Sequence, residues 1–396
     1  MPSRLGEIAE WLERTALRGV PAEELVTGLG ERLVAAGIPL SRMTAMVDTL
    51  HPVHEGSVVR WLAGDAGADT ITYEHDYDVE RWQQTAYYHL DRLGLPAYRE
   101  RLAPDRAPEL DALREFRDGG YRDYLVLVER FEDRGSVGEM TCIYSSWMTR
   151  SPDGFSDADI EMIRRLSPVL ALALKALALQ GISATIAETY LGREAAAQVM
   201  RGKIRRGTAS EIKAVLWSSD LANFTALSEA LEPAELIPFL NAYTGLLVEA
   251  IRGEGGDVLK FIGDGILAIF PVAGDPAPAC RAALRAERAA RRTVAELTQQ
   301  RAASGQRTTD FYLGLHVGRV YFGNVGSPDR LDFTVIGPAV NEASRIMAMC
   351  SSLRRPLLLS ARFAGILEND ADLPLASVGR FALRGVSEAQ FLYTLA

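Results

Sequence analysis

At 396 residues the chain exceeds what one hydrophobic core ordinarily organises, so two domains of about 150 to 200 residues are expected. A content of 48% hydrophobic and 24% charged residues excludes the disordered and fibrous classes. The net charge of -9 excludes capture of nucleic acid or anionic lipid by a broad basic face, so a phosphate ligand must be met by local groups.

Cys142, Cys280 and Cys350 are odd in number and irregular in spacing. They fit neither a disulfide framework nor a zinc site, and a reducing compartment is expected. Glu7 and Glu10 interrupt the first residues, so a secretory leader is not expected and a cytoplasmic location is. The stretch Val169 to Leu179 carries Lys175 and is about half the length a membrane span requires. It reads as a buried or partner-facing helix, without membrane insertion.

In chain order, Arg4 to Leu17 and Pro21 to Ile38 place apolar residues at helical spacing, and Pro21 ahead of Glu23 and Glu24 suits a first turn. Strand-like alternation follows at Arg42 to Asp48, Thr70 to Glu74, Tyr124 to Phe131 and Met140 to Trp147. Glu132-Asp133-Arg134-Gly135 reads as the turn of a hairpin between the last two. His51 and His54 have no evident third ligand, so no metal or haem is assigned here. Ser156 is a capping residue ahead of Ile160, Ile163, Leu166 and Leu170, which predicts a closing helix. This order of elements resembles an α/β sensor domain of GAF or PAS type, over residues 1–180. Such a domain implies an unknown small-molecule or protein regulator.

Residues 181–210 hold Thr189-Tyr190-Leu191-Gly192 and a basic run from Arg201 to Arg206. They read as a solvated linker or as a signalling helix and hinge. From Glu211, short apolar strands (Ala214 to Trp217, Val258 to Ile262, Ile266 to Phe270, Tyr312 to Val317, Phe333 to Ile336) alternate with amphipathic helices (Pro233 to Arg252, Pro276 to Leu297, Val340 to Met349). That alternation predicts an α/β or α+β sandwich over residues 211–396.

Asp220 ends an apolar strand and precedes Leu221-Ala222-Asn223-Phe224-Thr225 at the mouth of a helix. A carboxylate there can hold a hard cation while helix N-terminal amides face a polyphosphate. Taken alone, Asp220 needs only to cap the helix. Lys260-Phe261-Ile262-Gly263-Asp264-Gly265 places an Asp-Gly turn between apolar strands, and Asp264 taken alone needs only turn geometry. Asn341 and Arg345, four apart on a predicted helix, share a face and can reach one phosphate, where a guanidinium is a permanent forked donor. A solvated face is the simpler alternative.

Together these blocks, with Leu313-Gly314-Leu315-His316-Val317-Gly318-Arg319 and Leu331-Asp332-Phe333-Thr334 between them, resemble the class III nucleotide cyclase catalytic domain. The resemblance covers residues 211–396 and implies an α+β, ferredoxin-like fold. It further implies an adenylate cyclase that converts ATP to 3',5'-cyclic AMP and pyrophosphate. Two Mg2+ or Mn2+ ions per site would be held by Asp220, Asp264 and the carbonyl of Leu221. Phe224 and Thr225 would offer amides to the phosphates, Asn341 would orient the ribose, and Arg345 would stabilise the transition state. Lys260 and Thr334 stand at the base-reading positions, and Lys rather than Glu there implies adenine. Val386 stands where a phosphate-binding Lys is common, and Arg319 matches a phosphate contact in some relatives. The family builds each site between two catalytic domains, so a homodimer regulated by the N-terminal domain is implied. A guanylate cyclase and a degenerate nucleotide-binding protein are the alternatives. A diguanylate cyclase does not fit, because its Gly-Gly-Asp/Glu-Glu-Phe hairpin is absent.

Overall fold

Amphipathic spacing at the start of the chain becomes two helices, α1 (Arg4–Leu17) and α2 (Ala22–Ala35), whose Leu12, Leu25, Leu29 and Leu33 are fully buried. The protein is described by a computed structural model at residues 4–48, 54–74, 82–131, 140–205, 207, 209–368, 370, 373–384 and 388–396. Two units divide the chain, Met1–Ile186 and Ala187–Ala396.

The first unit holds strands β1 (Arg42–Asp48), β2 (His54–Leu62), β3 (Asp69–Glu74), β4 (Ala97–Arg101), β5 (Asp123–Arg130) and β6 (Cys142–Thr149) in one antiparallel sheet, order β3-β2-β1-β6-β5-β4. Helix α3 (Ala86–Leu93) and the short α4 (Arg114–Asp118) lie between strands, and α5 (Asp157–Leu191) follows β6. Neighbouring residues on a strand face opposite ways. On β5, Leu125 and Leu127 therefore join the core under α1, α2 and α5, while Tyr124, Val126 and Val128 join a second cluster with α3 and α4. Burial on both faces accounts for the unbroken apolar run Tyr124 to Val128 on β5. The β5–β6 pairing is as expected, and the expected turn at Glu132 to Gly135, like His51, lies outside the described residues.

Strands β2 and β4 and helix α3 were not evident in the sequence. Strand β4 is a polar edge, held by Arg99 donating to the fully buried Asp123 at 2.7 Å. Helix α5 begins as Ser156 predicts. The Asp159 N–H donates to Ser156 Oγ at 3.2 Å, and the Ser156 N–H donates back to Asp159 Oδ2 at 2.8 Å. It continues to Leu191, so the expected linker is helical over its first part, and α6 (Arg193–Met200) follows directly. By length and composition α5 and the later α8 (Pro233–Gly253) are each apolar enough to cross a membrane. Each also lays buried side chains on its own sheet, Ile163, Leu166 and Leu170 from α5 and Phe239, Tyr243, Leu247 and Ile251 from α8.

The second unit is built on β7 (Ala209–Leu221), β8 (Asp257–Ile262), β9 (Gly265–Pro271), β10 (Phe311–Gly326), β11 (Leu331–Ile336), β12 (Leu357–Ser360), β13 (Leu375–Phe381) and β14 (Gln390–Leu395). The order is β13-β14-β12-β10-β7-β9-β8, with β11 also on β10, and among the described residues only the β10–β12 pair is parallel. The helices are α7 (Phe224–Ala230), α8, α9 (Ala277–Ala303), α10 (Pro338–Leu353) and α11 (Ala361–Ile366). Along β7, Val215 and Trp217 pack under α8 and α9, whereas Ala214 and Leu216 face the opposite cluster with α6, β11 and α10. This is the mixed helix and sheet architecture the resemblance implied.

Glycines bring α10 close to the sheet. A Cβ at Gly314 would lie 2.6 Å from Met347 N, and one at Gly318 would lie 2.3 Å from Ala339 Cβ. Helix α10 therefore rests directly on β10. The sheet also curls, so that edge strand β8 meets β11, and Lys260 closes the seam as an ion pair with Asp332.

Candidate active site

Two carboxylates meet at the end of β7. Strand β9 pairs with β7 as Ser219↔Ile266, which sets the β8–β9 turn beside Asp220. The turn needs glycine on both sides of Asp264. Gly263 has φ 63°, and a Cβ at Gly265 would lie 2.9 Å from Ser219 O and 3.3 Å from Asp220 Oδ1. Asp264 Oδ2 accepts the Leu221 N–H at 3.1 Å. Burial, followed by the neighbouring Asp264, pushes the Asp220 carboxyl up from 3.8 to about 7. Asp220 does not cap the following helix. Asn223 precedes α7, left-handed at φ 57° and without a side-chain cap bond.

The donor set fits a small hard cation. Mg2+ is commonly held by one or two carboxylates with substrate phosphates and water completing its shell. Among the described residues no group of three or more His, Cys, Asp or Glu side chains converges, so Asp220 and Asp264 leave positions for such ligands. Backbone hydrogen bonding in α7 begins with the Leu227 N–H to Asn223 O at 3.2 Å. The Phe224 and Thr225 amides therefore precede the first helical bond and are suited to an anion.

A second constellation follows β11 into α10. Lys260 leaves the β8–β9 hairpin toward Asp332, whereas Asp264 leaves it toward β7. Two residues beyond Asp332, and so on the same side of β11, Thr334 is 8% exposed, with its Oγ1 buried and unpartnered among the described residues. An unmet buried hydroxyl costs about 1–3 kcal/mol, which a ligand hydrogen bond would relieve. Helix α10 carries exposed Asn341 and half-buried Arg345 one turn apart. Arg345 makes no hydrogen bond or ion pair among the described residues. Arg319 is largely exposed on β10 and paired with Glu211 at 3.1 Å. Val386 lies outside the described residues.

Three supporting groups escaped sequence reading. Asp332 holds Lys260, and only its alternation with Thr334 on β11 signals this. Buried Asp257, three residues before Lys260 on β8, accepts the Arg193 and Glu194 N–H groups at 3.3 and 3.2 Å, fixing the start of α6. His316 on β10 is buried with Nε2 3.6 Å from Glu342, the neighbour of Asn341. Burial pushes this imidazole down to about 4, so it is neutral at pH 7. Trp217, fully buried beside the site on β7, donates its indole N–H to Ser219 Oγ at 3.0 Å.

Comparison with known proteins gives this geometry a lineage. The family described as adenylate and guanylate cyclase catalytic domain matches residues 210–396. An adenylate cyclase of Anabaena cylindrica is 32% identical over 191 residues, 48% of this chain and 38% of that protein. The terminal-differentiation-specific adenylate cyclase of Dictyostelium discoideum is 30% identical over 181 residues, 45% of this chain and 8% of that protein. The crystal structure of the adenylyl cyclase CyaB from P. aeruginosa is 28% identical, with a TM-score of 0.44, covering 48% of this chain and 96% of that one. The chain thus spans less than half the length of these curated relatives. Residues 210–396, within the C-terminal unit, thus match the adenylate and guanylate cyclase catalytic domain.

Proposed function

We propose that the protein is an adenylate cyclase, converting ATP to 3',5'-cyclic AMP and pyrophosphate at sites shared by two copies of the chain. The observation that carries this reading is the meeting of Asp220 and Asp264, whose mutual repulsion calls for a cation. One copy would contribute Asp220, Asp264 and the Leu221 carbonyl to hold two Mg2+ or Mn2+ ions, with the Phe224 and Thr225 amides toward the phosphates. When bound, such ions supply charge neutralisation on the phosphates and on the attacking and leaving oxygens.

The partner copy would contribute the second constellation. Lys260 donates to adenine N1, while the unmet Thr334 hydroxyl engages the 6-amino edge. Asn341 orients the ribose so that its 3'-oxygen lies in line with the α-phosphate. Arg345, without a competing partner among the described residues, donates to the charge that grows as pyrophosphate leaves. Arg319 would reach phosphate only by exchanging its bond to Glu211. Exposed Phe261, Ile262 and Ile336 on β8 and β11 support burial of this edge against a second copy. The N-terminal unit would then bias how two catalytic units meet.

Turnover of ATP and GTP by the purified chain with Mg2+ or Mn2+ tests the substrate assignment. Cyclic AMP from ATP, with GTP at least tenfold poorer, is expected. Preferential cyclic GMP formation would establish a guanylate cyclase, and no product from either would leave a binding protein.

A further inference from the structure

Helix α5 changes character along the face it turns to the sheet. Its first half fills that side with Ile160, Ile163, Leu166, Leu170 and Leu174, all buried. The same helical progression then continues through Ala178, Gly181 and Thr185. These small residues all line a cleft rather than filling it. A Cβ at Gly181 would meet nothing within 4 Å, although glycine weakens a helix interior. The result is a cleft of about 560 Å3 between α5, the α1–α2 turn and strands β1 to β3, wholly within the first unit. Its size falls within the roughly 300–1,000 Å3 of small-molecule sites.

The chemistry of the lining selects the ligand. Val47, Val59, Leu174 and Leu177 supply apolar walls, with hydroxyls and an amide such as Ser57 and Gln180 among them. Among the described residues the lining contains no Asp, Glu, Lys or Arg, and His54 is its sole titratable side chain. A charged ligand would lose hydration there without a counter-charge. We propose that this cleft binds a small, uncharged, largely apolar molecule carrying one or two hydrogen-bonding groups. Nucleotides and other anions are excluded by the same argument. Because α5 runs on beyond Ile186 to Leu191, a ligand against Ala178 and Gly181 bears on the helix that leaves the first unit. The binding itself holds whatever the C-terminal unit turns over.

The test uses the full chain at pH 8 and two matched fluorophores, N-phenyl-1-naphthylamine and its sulfonated relative 8-anilinonaphthalene-1-sulfonate. Saturable binding of the neutral dye, one per chain, is expected, with the sulfonate at least tenfold weaker. Gly181→Leu fills the cleft and replaces a weak helix former with a strong one, so it should weaken neutral-dye binding at least tenfold without lowering Tm. Ala178→Leu, one turn earlier on the same face, repeats the test should the first variant misfold. Absence of saturable binding, equal affinity for the sulfonate, or undiminished binding by a folded cleft-filling variant would overturn the proposal.

Discussion

Removing the charge at Asp264 while keeping its hydrogen bond isolates the repulsion at the centre of the site. Asp264→Asn retains a carbonyl oxygen to accept the Leu221 N–H. The Asp220 carboxyl rises from 3.8 to about 7 in the folded chain. Stability is therefore intact below pH 4 and is lost as pH rises toward 7, because the folded state holds the proton more tightly than the unfolded one. A shift of about 3 units corresponds to about 4 kcal/mol at most. Burial causes the larger share and survives the substitution, and Asp220 is half-exposed, so screening reduces the remainder to about 1 kcal/mol. Without metal at pH 8, Asp264→Asn should raise the Tm of the C-terminal unit by about 2–4 °C. At pH 4 the difference should vanish, and Mg2+ at pH 8 should narrow it by binding the wild type. Scanning fluorimetry in EDTA at both pH values is the assay. An unchanged or lower Tm at pH 8 would show that the two carboxylates do not oppose one another.

Other outcomes follow from the same geometry. Asp220→Ala should abolish cyclic AMP formation while leaving self-association measured by ultracentrifugation intact, and near-normal turnover would remove it from the metal site. Lys260→Glu should lose ATP turnover, since it places an acceptor opposite the acceptor N1 of adenine and beside Asp332; unchanged preference for ATP over GTP would place base reading elsewhere. Gly314→Ala should destabilise the C-terminal unit by about 1–3 kcal/mol in urea unfolding, because its Cβ would lie 2.6 Å from Met347 N. An unchanged midpoint would mean that α10 is not seated against β10.

Burial made part of this fold legible. Ala214 to Trp217 on β7 is buried on both faces and reads as a strand, whereas Ala209 to Lys213 is mostly exposed and held by its ladder with β10. Nothing in its local composition predicts that extension. The short strands β12 to β14 were missed because their pairing is non-local and β13 is broken by a bulge between Ser377 and Gly379. The Gly-Asp-Gly hairpin was readable from turn chemistry, but its approach to Asp220 depends on the β7–β9 pairing, and only the resemblance of the ordered motifs anticipated it. Gly314 and Gly318 were visible as residues, yet which helix they admit is decided by the fold. Asp257 and Asp332 are ordinary acidic residues until three-dimensional pairing gives them Arg193, Glu194 and Lys260 as partners.

Mixing two inactive chains tests the shared site most directly. Asp264→Ala lacks a metal ligand, and Arg345→Ala lacks the transition-state donor. A mixed dimer joins both damaged halves at one site and both intact halves at the other. Free exchange makes about half the dimers mixed, each with one sound site of two, so the mixture should recover roughly a quarter of wild-type cyclic AMP formation. A mixture as inactive as its components, with exchange verified by tagged-chain pulldown, would contradict catalysis at a site built from two copies.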